Sequence, residues 1–205
     1  MSDVSSPRSE AKAVRRQALL DAAAGLFAAE GFAGVSLDDL GAAAGVSGPA
    51  IYRHFAGKQA VLGALLVGVS EELLEGGRRV AESVGFPATT DDDGAATVRA
   101  LVAFHVDFAL SKPDVIRVQD RDFTSLSPED RAAVRSLQLR YVDVWAQALA
   151  RLHPTAPAAE LRVRAQAAFG LINSTPHSVR NTTRRRAQAL LEAMAFAALA
   201  APPAA

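Results

Sequence analysis

The sequence of 205 residues predicts an all-α fold, in which a small N-terminal three-helix domain is joined by a long helix to a larger C-terminal helical domain. Half of the residues are hydrophobic but only 6% are aromatic, a composition typical of helical proteins rich in alanine, leucine and valine. Apolar residues recur at helical spacing, and no segment alternates between apolar and polar residues as a half-buried strand does. We place the domain boundary between residues 57 and 58, which gives domains of 1–57 and 58–205.

The first domain is predicted from local turn and capping signals. Residues 8–30 place apolar side chains on one face of a helix, and Gly31 is the type of residue that ends a helix. Ser36 is suited to cap a second helix, because its hydroxyl can accept a hydrogen bond from a free amide of the first turn. Gly45 permits the tight turn that follows, and residues 47–54 complete the domain as a third helix.

The second domain begins with a long helix from Lys58, whose apolar stripe continues to Val80. We expect this helix to be the only continuous connection between the two domains. A loop at residues 85–94 follows, and Pro176 is expected to break a later helix because proline cannot continue the hydrogen-bond ladder. The later helices are predicted at residues 95–110, 113–122, 128–153, 158–180 and 183–200.

A tight turn and a short helix between residues 42 and 58 form the most informative motif. The side chains that this motif leaves exposed are small or can form hydrogen bonds: Ser47, Gly48, Pro49, Tyr52, Arg53, His54 and Lys58. This arrangement is typical of a helix-turn-helix, whose second helix lies in the major groove of double-stranded DNA. We expect phosphate contacts from Tyr52, His54 and Lys58, and base contacts from Ser47, Pro49 and Arg53.

The order of residues around this motif matches a known family. The matching residues are Ala22-Ala23, Leu26-Phe27, Gly31-Phe32, Val35-Ser36-Leu37, Leu40, Ala43 to Ser47, Ile51 to Phe55 and Lys58. On these residues, the segment from about Arg8 to Leu66 resembles the DNA-binding domain of the TetR family of bacterial transcriptional repressors. It departs from the family at Gly48-Pro49, where lysine and glycine are frequent. The resemblance implies a homodimer that binds a palindromic operator, is released by a small effector, and contacts the DNA backbone through Ser36.

Three helices of the second domain carry an aromatic or polar group on an apolar face. These groups are His105, Phe108, Tyr141, Trp145, Phe169, Asn173 and His177. Such a set is typical of a ligand pocket between helices, and also of an ordinary core. For a pocket, the excess of apolar side chains favours an elongated apolar effector, first a fatty acyl chain carried as a coenzyme A thioester and second a planar aromatic compound. Residues 121–145 and 169–178 are also similar to family members linked to fatty-acid or acyl-CoA metabolism.

The family resemblance further implies dimerisation through the last two long helices. On residues 183–200, we predict an apolar face of small residues around Leu191, Met194 and Ala198, since small side chains let two helices approach closely. Leu191→Arg should therefore disrupt the dimer. A second interpretation remains open, in which the protein is a dimeric DNA-binding protein with a filled C-terminal core and no response to a ligand.

Composition and motifs speak against several other classes of protein. The chain has no cysteine and shows no nucleophile motif, metal-ligand spacing or phosphate loop, so we expect no enzyme activity, catalytic residue, metal or cofactor. No apolar run approaches the roughly 20 residues that cross a bilayer, and we expect a cytoplasmic protein that does not enter a membrane. The formal net charge is zero, so DNA binding would depend on local basic residues such as Lys12, Arg15 and Arg16.

Overall fold

The computed structural model describes residues 7–46, 51–84, 92–179 and 182–202, and within these ranges every regular element is a helix. The predicted all-α fold is confirmed. The helices are α1 (Pro7–Gly34), α2 (Leu37–Ala43), α3 (Lys58–Val84), α4 (Asp92–Ser111), α5 (Pro113–Asp122), the short 3-10 helix η1 (Phe123–Ser125), α6 (Pro128–Leu152), α7 (Ala158–Ile172), α8 (Thr175–Ser178) and α9 (Arg184–Ala200). The predicted break near Pro176 is also present, since α7 ends at Ile172 and Pro176 lies in the first turn of α8.

Local signals near the start of the chain act as the sequence predicts. Gly31 has a φ of 82°, outside the helical range, so the regular part of α1 ends there. Ser36 caps α2: its hydroxyl accepts from the amide of Asp39 over 3.1 Å, and its own amide donates to the Asp39 carboxylate over 2.8 Å. Gly45 has a φ of 64°, which glycine adopts without a Cβ penalty. Residues 47–50, at the start of the predicted third helix, lie outside the described residues.

The chain forms two compact units that are both discontinuous in sequence. The first unit contains Met1–Gly68 and Arg117–Ala133, and the second contains Val69–Ile116 and Val134–Ala205. The expectation that the helix from Lys58 is the only continuous connection is wrong, because α5 and α6 also contribute residues to both units. The functional domain limits of 1–57 and 58–205 stay a prediction.

Each unit has its own apolar core. In the first unit, the predicted face of α1 is buried together with side chains from α2, α3 and the segment between them: Leu19, Ala23, Phe27, Leu40, Ile51, Phe55 and Leu62. In the second unit, α9 lies against α4 and α7. The core there includes Leu101, Trp145, Leu149, Ile172 and Leu199.

One stretch of α4, Gly94–Ser111, is long and apolar enough to cross a membrane when judged by length and composition alone. The prediction that no apolar run approaches this length overlooked it. Half of the stretch is buried inside the structure, where Leu101, Val102 and Val106 belong to the core of the second unit. Core helices meet the same criteria, so the stretch is weak evidence for a membrane segment.

Candidate nucleic-acid interface and buried aromatic cluster

Basic side chains of the first unit gather beside the helix-turn-helix. Lys12, Arg15 and Arg16 follow one face of α1 at spacings of three and four residues, and all three are exposed. Arg53 is also exposed, and the guanidinium carbon of Arg16 lies 5.1 Å from the ring centroid of Phe55. We call Lys12, Arg15, Arg16 and Arg53 the basic surface. Local positive charge of this kind attracts DNA even when the whole chain is neutral.

His54 is half-buried next to the basic surface. Its Nδ1 atom is shielded from solvent and has no hydrogen-bond partner among the described residues. Burial lowers the pKa of His54, and the positive charges of Lys12, Arg15, Arg16 and Arg53 lower it further. An anion placed here would meet several cations and an imidazole that can gain a proton, which suits a DNA phosphate.

The other residues predicted to contact DNA differ in how the structure places them. Tyr52 is 64% exposed, so its hydroxyl and ring are accessible. Ser36 is exposed, but its hydroxyl is already bonded to Asp39 as the cap of α2. Ser47, Gly48 and Pro49 lie outside the described residues. Their predicted roles in DNA binding stay predictions.

Lys58 has a structural role that the sequence did not indicate. Its ammonium donates to the carbonyl oxygens of Phe32 and Val35 over 2.7 and 2.6 Å, and lies 4.5 Å from the ring centroid of Phe32. The first residue of α3 thereby holds the connection between α1 and α2. The predicted phosphate contact of Lys58 stays a prediction, and any variant at this position also tests the stability of the first unit.

Arg121 is a second cation near the end of α1. Its guanidinium donates to the carbonyl oxygens of Phe27 and Ala28, and pairs with the neighbouring carboxylate of Asp122 over 3.1 Å. A positive charge near a helix C-terminus is favourable because the last carbonyl groups have no partner within the helix. Arg121 therefore anchors residues 117–133 to α1 within the first unit.

The structure brings six of the seven predicted ligand-site residues together in the second unit. We call His105, Phe108, Tyr141, Trp145, Phe169 and Asn173 the aromatic cluster. The rings of His105 and Phe169 are stacked with centroids 4.8 Å apart, and Trp145 meets the Phe169 ring edge-on at 5.0 Å. His177 is not part of this cluster, since its side chain is exposed on α8.

His105 is the polar centre of the aromatic cluster. Its Nδ1 lies 3.1 Å from the Tyr141 hydroxyl, and its Nε2 lies 3.1 Å from the side-chain oxygen of Asn173. The Asn173 oxygen can only accept, so Nε2 carries the proton and Nδ1 accepts from Tyr141. Burial lowers the pKa of His105 to about 4, and burial raises the pKa of Tyr141. Both groups are therefore neutral at physiological pH.

Trp145 leaves one polar atom of the cluster without a partner. The side chain is fully buried, and its Nε1 makes no hydrogen bond of good geometry among the described residues, although it lies close enough to the Tyr141 hydroxyl to act against the rise of the Tyr141 pKa. An unsatisfied buried donor costs about 1–3 kcal/mol. The cluster thus contains a donor that a carbonyl group of a ligand would satisfy.

The exposed apolar face of α9 differs from the predicted one. Leu191 is only 7% exposed and belongs to the core of its own chain, so the prediction that it centres the dimer contact is wrong. The preceding residue, Leu190, is 57% exposed, and Met194 is 48% exposed. On α7, which lies against α9, Val163 is 63% exposed. We call Leu190, Met194 and Val163, together with the exposed alanines Ala193, Ala197 and Ala198 of α9, the α7–α9 face.

A helix-turn-helix unit with a basic surface, joined to a second helical unit, defines the class of DNA-binding regulators. Comparison with family models gives the family. Residues 19–65 match the model described as bacterial regulatory proteins of the tetR family, and residues 91–200, more than half of the chain, match that of the tetracyclin repressor-like C-terminal domain. The chain belongs to the TetR family of DNA-binding transcriptional regulators, which is a family of regulators and not of enzymes.

Individual relatives agree with this assignment. The chain is 32% identical over 118 residues to the HTH-type transcriptional repressor KstR2 of Rhodococcus jostii, and the match covers 57% of this chain and 58% of that repressor. A TetR-family regulator from Bordetella parapertussis has a similar structure, with a TM-score of 0.75, 24% identity, and coverage of 90% of this chain and 93% of the other. AibR, in complex with isovaleryl coenzyme A and operator DNA, gives a TM-score of 0.68, 20% identity, and coverage of 89% and 98%. At these identities, both structures support the fold alone.

Proposed function

We propose that this protein is a dimeric repressor that binds a palindromic operator and is released from it by a small, mostly apolar effector. The observation that carries the effector part is the polar network of His105, Tyr141 and Asn173, which is enclosed in the apolar core of the second unit. The relationship to the KstR2 repressor supports repression. The isovaleryl coenzyme A bound to AibR supports an acyl-CoA as the effector.

The energetics of the polar network favour a binding role over a purely structural one. Burying a hydroxyl without a hydrogen bond costs roughly 2–7 kcal/mol, and the two hydrogen bonds of His105 remove this cost with a modest net gain of about 0.5–1.5 kcal/mol each. Leucine or phenylalanine at the same position would fill the core without any polar group to satisfy. The free Nε1 of Trp145 adds a donor with no present partner. A ligand with an apolar body and one carbonyl oxygen, such as an acyl thioester, fits both features.

The dimer is proposed to form through the α7–α9 face. Leu190, Met194 and Val163 are among the most exposed large apolar side chains of the chain, and α7 and α9 lie against each other. Small exposed residues accompany Leu190 and Met194 on α9, namely Ala193, Ala197 and Ala198. A face of this kind, used by both copies around a two-fold axis, buries the same patch on each protomer.

The DNA contacts are proposed to follow the helix-turn-helix arrangement. Each protomer would place its second helix in one major groove, with half-sites about 34 Å or somewhat more apart. Tyr52 and His54, together with Lys12, Arg15 and Arg16 of the basic surface, would bind phosphates. Arg53, with Ser47 and Pro49, would face base edges. A regulator that acts on a bacterial chromosome would work in the cytoplasm.

One observation favours the alternative of a DNA-binding protein that responds to no ligand. The rings of the aromatic cluster already contact one another, with Tyr141 and Phe169 stacked at 5.3 Å in addition to the pairs formed by His105 and Trp145. An effector must therefore displace at least one ring to enter the cluster. A core that never opens would keep these contacts in all states.

Titration of acyl-CoA thioesters decides between the two proposals. An operator selected from random DNA would be bound to the full chain, then titrated with isovaleryl-CoA, a long-chain acyl-CoA and a planar aromatic compound. Trp145 is the only tryptophan of the chain, so its fluorescence reports entry of a ligand into the cluster. We expect an acyl-CoA to release the DNA and to change the fluorescence.

Two variants sharpen this experiment. Asn173→Leu removes a hydrogen-bond partner of His105 and should abolish or strongly weaken the response while DNA binding is retained. His177→Gln changes an exposed residue outside the cluster and should respond like the natural sequence. If no ligand class releases DNA or alters Trp145, the ligand-independent function stands instead.

A further inference from the structure

A cleft of about 470 Å³ lies within the second unit, apart from the residues of the aromatic cluster. Its walls come from the last turns of α3, the start of α4 and the second half of α6. Three arginines line it, Arg78 from α3 and Arg140 and Arg151 from α6. The cleft therefore combines a concave shape with concentrated positive charge.

The three arginines have no ion-pair or hydrogen-bond partner among the described residues, which distinguishes them from their neighbours. Arg79, next to Arg78, pairs with Glu75 over 3.5 Å. Arg162 pairs with Asp143, an acidic residue of the cleft wall, over 2.9 Å. Glu82 is the other acidic residue of the wall, so the arginines outnumber the free carboxylates around the cleft. Unpaired guanidinium groups around one cavity favour an anion.

The side chains of the cleft favour one class of anionic ligand, a phosphate ester that also has an apolar part. Guanidinium groups bind phosphate oxygens in pairs of parallel hydrogen bonds, which makes arginine well suited to phosphate recognition. Between the arginines, the wall contains the small apolar side chains of Ala81, Val144 and Ala148. A bare inorganic ion would leave this apolar surface unused.

Helix α6 places the cleft next to the aromatic cluster. Tyr141 and Trp145 lie one turn apart on its buried face, and Val144 and Ala148 follow them on the adjoining face that lines the cleft. A ligand in the cleft and a ligand in the cluster would thus contact the same helix. Arg184, at the start of α9, is by contrast already paired with Asp107 over 2.8 Å.

We propose that the cleft between α3, α4 and α6 binds the phosphate-bearing part of a coenzyme A-type ligand through Arg78, Arg140 and Arg151. This inference rests on the proposed effector function and assigns its polar end to a separate site. The phosphates meet the arginines, and the pantetheine chain lies along Ala81, Val144 and Ala148. The site requires no acyl group, so coenzyme A alone is a sufficient ligand.

The test measures binding of coenzyme A, ATP and inorganic pyrophosphate to the full chain by calorimetry, without DNA. We expect coenzyme A to bind more tightly than pyrophosphate, because only coenzyme A covers the apolar wall. Tighter binding of ATP than of coenzyme A would overturn the coenzyme A assignment. Arg78→Gln should weaken coenzyme A binding by about tenfold or more, and the double variant with Arg140→Gln should weaken it further. Arg79→Gln, with the same charge change one residue away, should leave binding within about twofold.

The possible results distinguish an error in the cleft assignment from an error in the proposed effector function. Equal affinity of Arg78→Gln and Arg79→Gln for coenzyme A, in variants shown to fold by circular dichroism, overturns the cleft assignment. So does the absence of coenzyme A binding at millimolar concentration. If an acyl-CoA still releases DNA from Arg78→Gln as it does from the natural sequence, the assignment of the cleft as the coenzyme A site is refuted but the proposed effector function is not. If coenzyme A binds as expected but no acyl-CoA releases DNA, the assignment of the cleft is supported and the proposed effector function is refuted.

Discussion

Leu190 and Leu191 offer a direct test of the proposed dimer, because neighbouring leucines of α9 lie in different surroundings. Leu190 is 57% exposed on the α7–α9 face, whereas Leu191 is 7% exposed in the core. Leu190→Arg should prevent dimerisation but leave each protomer folded. Leu191→Arg should instead destabilise the protomer, because it places an unpaired charge in an apolar core.

The size of the Leu190 effect follows from its exposure. Full burial of a leucine side chain contributes about 1.5–3 kcal/mol, and somewhat more than half of this side chain remains to be covered in the dimer. Each protomer therefore contributes roughly 1–2 kcal/mol through Leu190, and two-fold symmetry counts this contribution twice. Loss of both contributions raises the dimer dissociation constant by about 30-fold to 1,000-fold, before the cost of desolvating two arginines is added.

Analytical ultracentrifugation over a concentration series would measure the dissociation constant, and thermal unfolding would measure the stability. A matched control is Leu139→Arg, since Leu139 is 60% exposed on α6 and is not part of the α7–α9 face. We expect a dimer for Leu139→Arg and a folded monomer for Leu190→Arg. A dimer of unchanged affinity in Leu190→Arg would refute the reasoning and place the interface on another surface.

Three further predictions concern titration and capping. The pKa of His105 is about 4 in the folded protein and near 6.5 in the unfolded chain, so the unfolded state binds more protons between these two values. The free energy of unfolding should therefore fall by up to about 3 kcal/mol as the pH drops from 6.5 to 4. Chemical denaturation of His105→Asn should show a shallower fall over the same pH range. Burial and the neighbouring positive charges lower the pKa of His54 in the free protein, and DNA phosphates beside it should raise that pKa. Affinity for a random 30-base-pair duplex should therefore rise as the pH is lowered from neutral. Equal pH slopes for His54→Gln and the natural sequence, measured by fluorescence anisotropy, would contradict this linkage. Lys58→Ala should weaken binding to all DNA sequences. It should also lower the free energy of unfolding by about 1–3 kcal/mol, because it removes the donor to the carbonyl oxygens of Phe32 and Val35. An unchanged melting temperature would contradict the role of Lys58 in holding the connection between α1 and α2.

Features that depend on a few neighbouring residues were predictable from the sequence. Ser36 caps α2, and Gly45 adopts the left-handed turn, because the required atoms lie within three or four positions along the chain. The aromatic cluster was also predicted in large part. His105, Tyr141 and Phe169 each occupy the apolar face of an amphipathic helix, and such faces meet in a core.

Features that depend on distant contacts were not predictable. Arg121 reaches the carbonyl oxygen of Phe27, 94 positions away, and no local pattern marks that pairing. The error at Leu191 has another physical origin. Helix α9 is rich in alanine and carries large apolar residues on two faces, so periodicity alone does not tell which face the core of the same chain covers.

The inclusion of residues 117–133 in the first unit bears on the construction of hybrid regulators. A chimera that takes only residues 1–57 from this protein would leave behind Arg121 and the contacts it makes with the end of α1. The transplanted DNA-binding residues would then contact a segment of the other protein that has no guanidinium group to donate to the carbonyl groups at the end of α1. Exchange of operator preference between relatives therefore requires two grafts, the N-terminal residues and the 117–133 segment, moved together as one module.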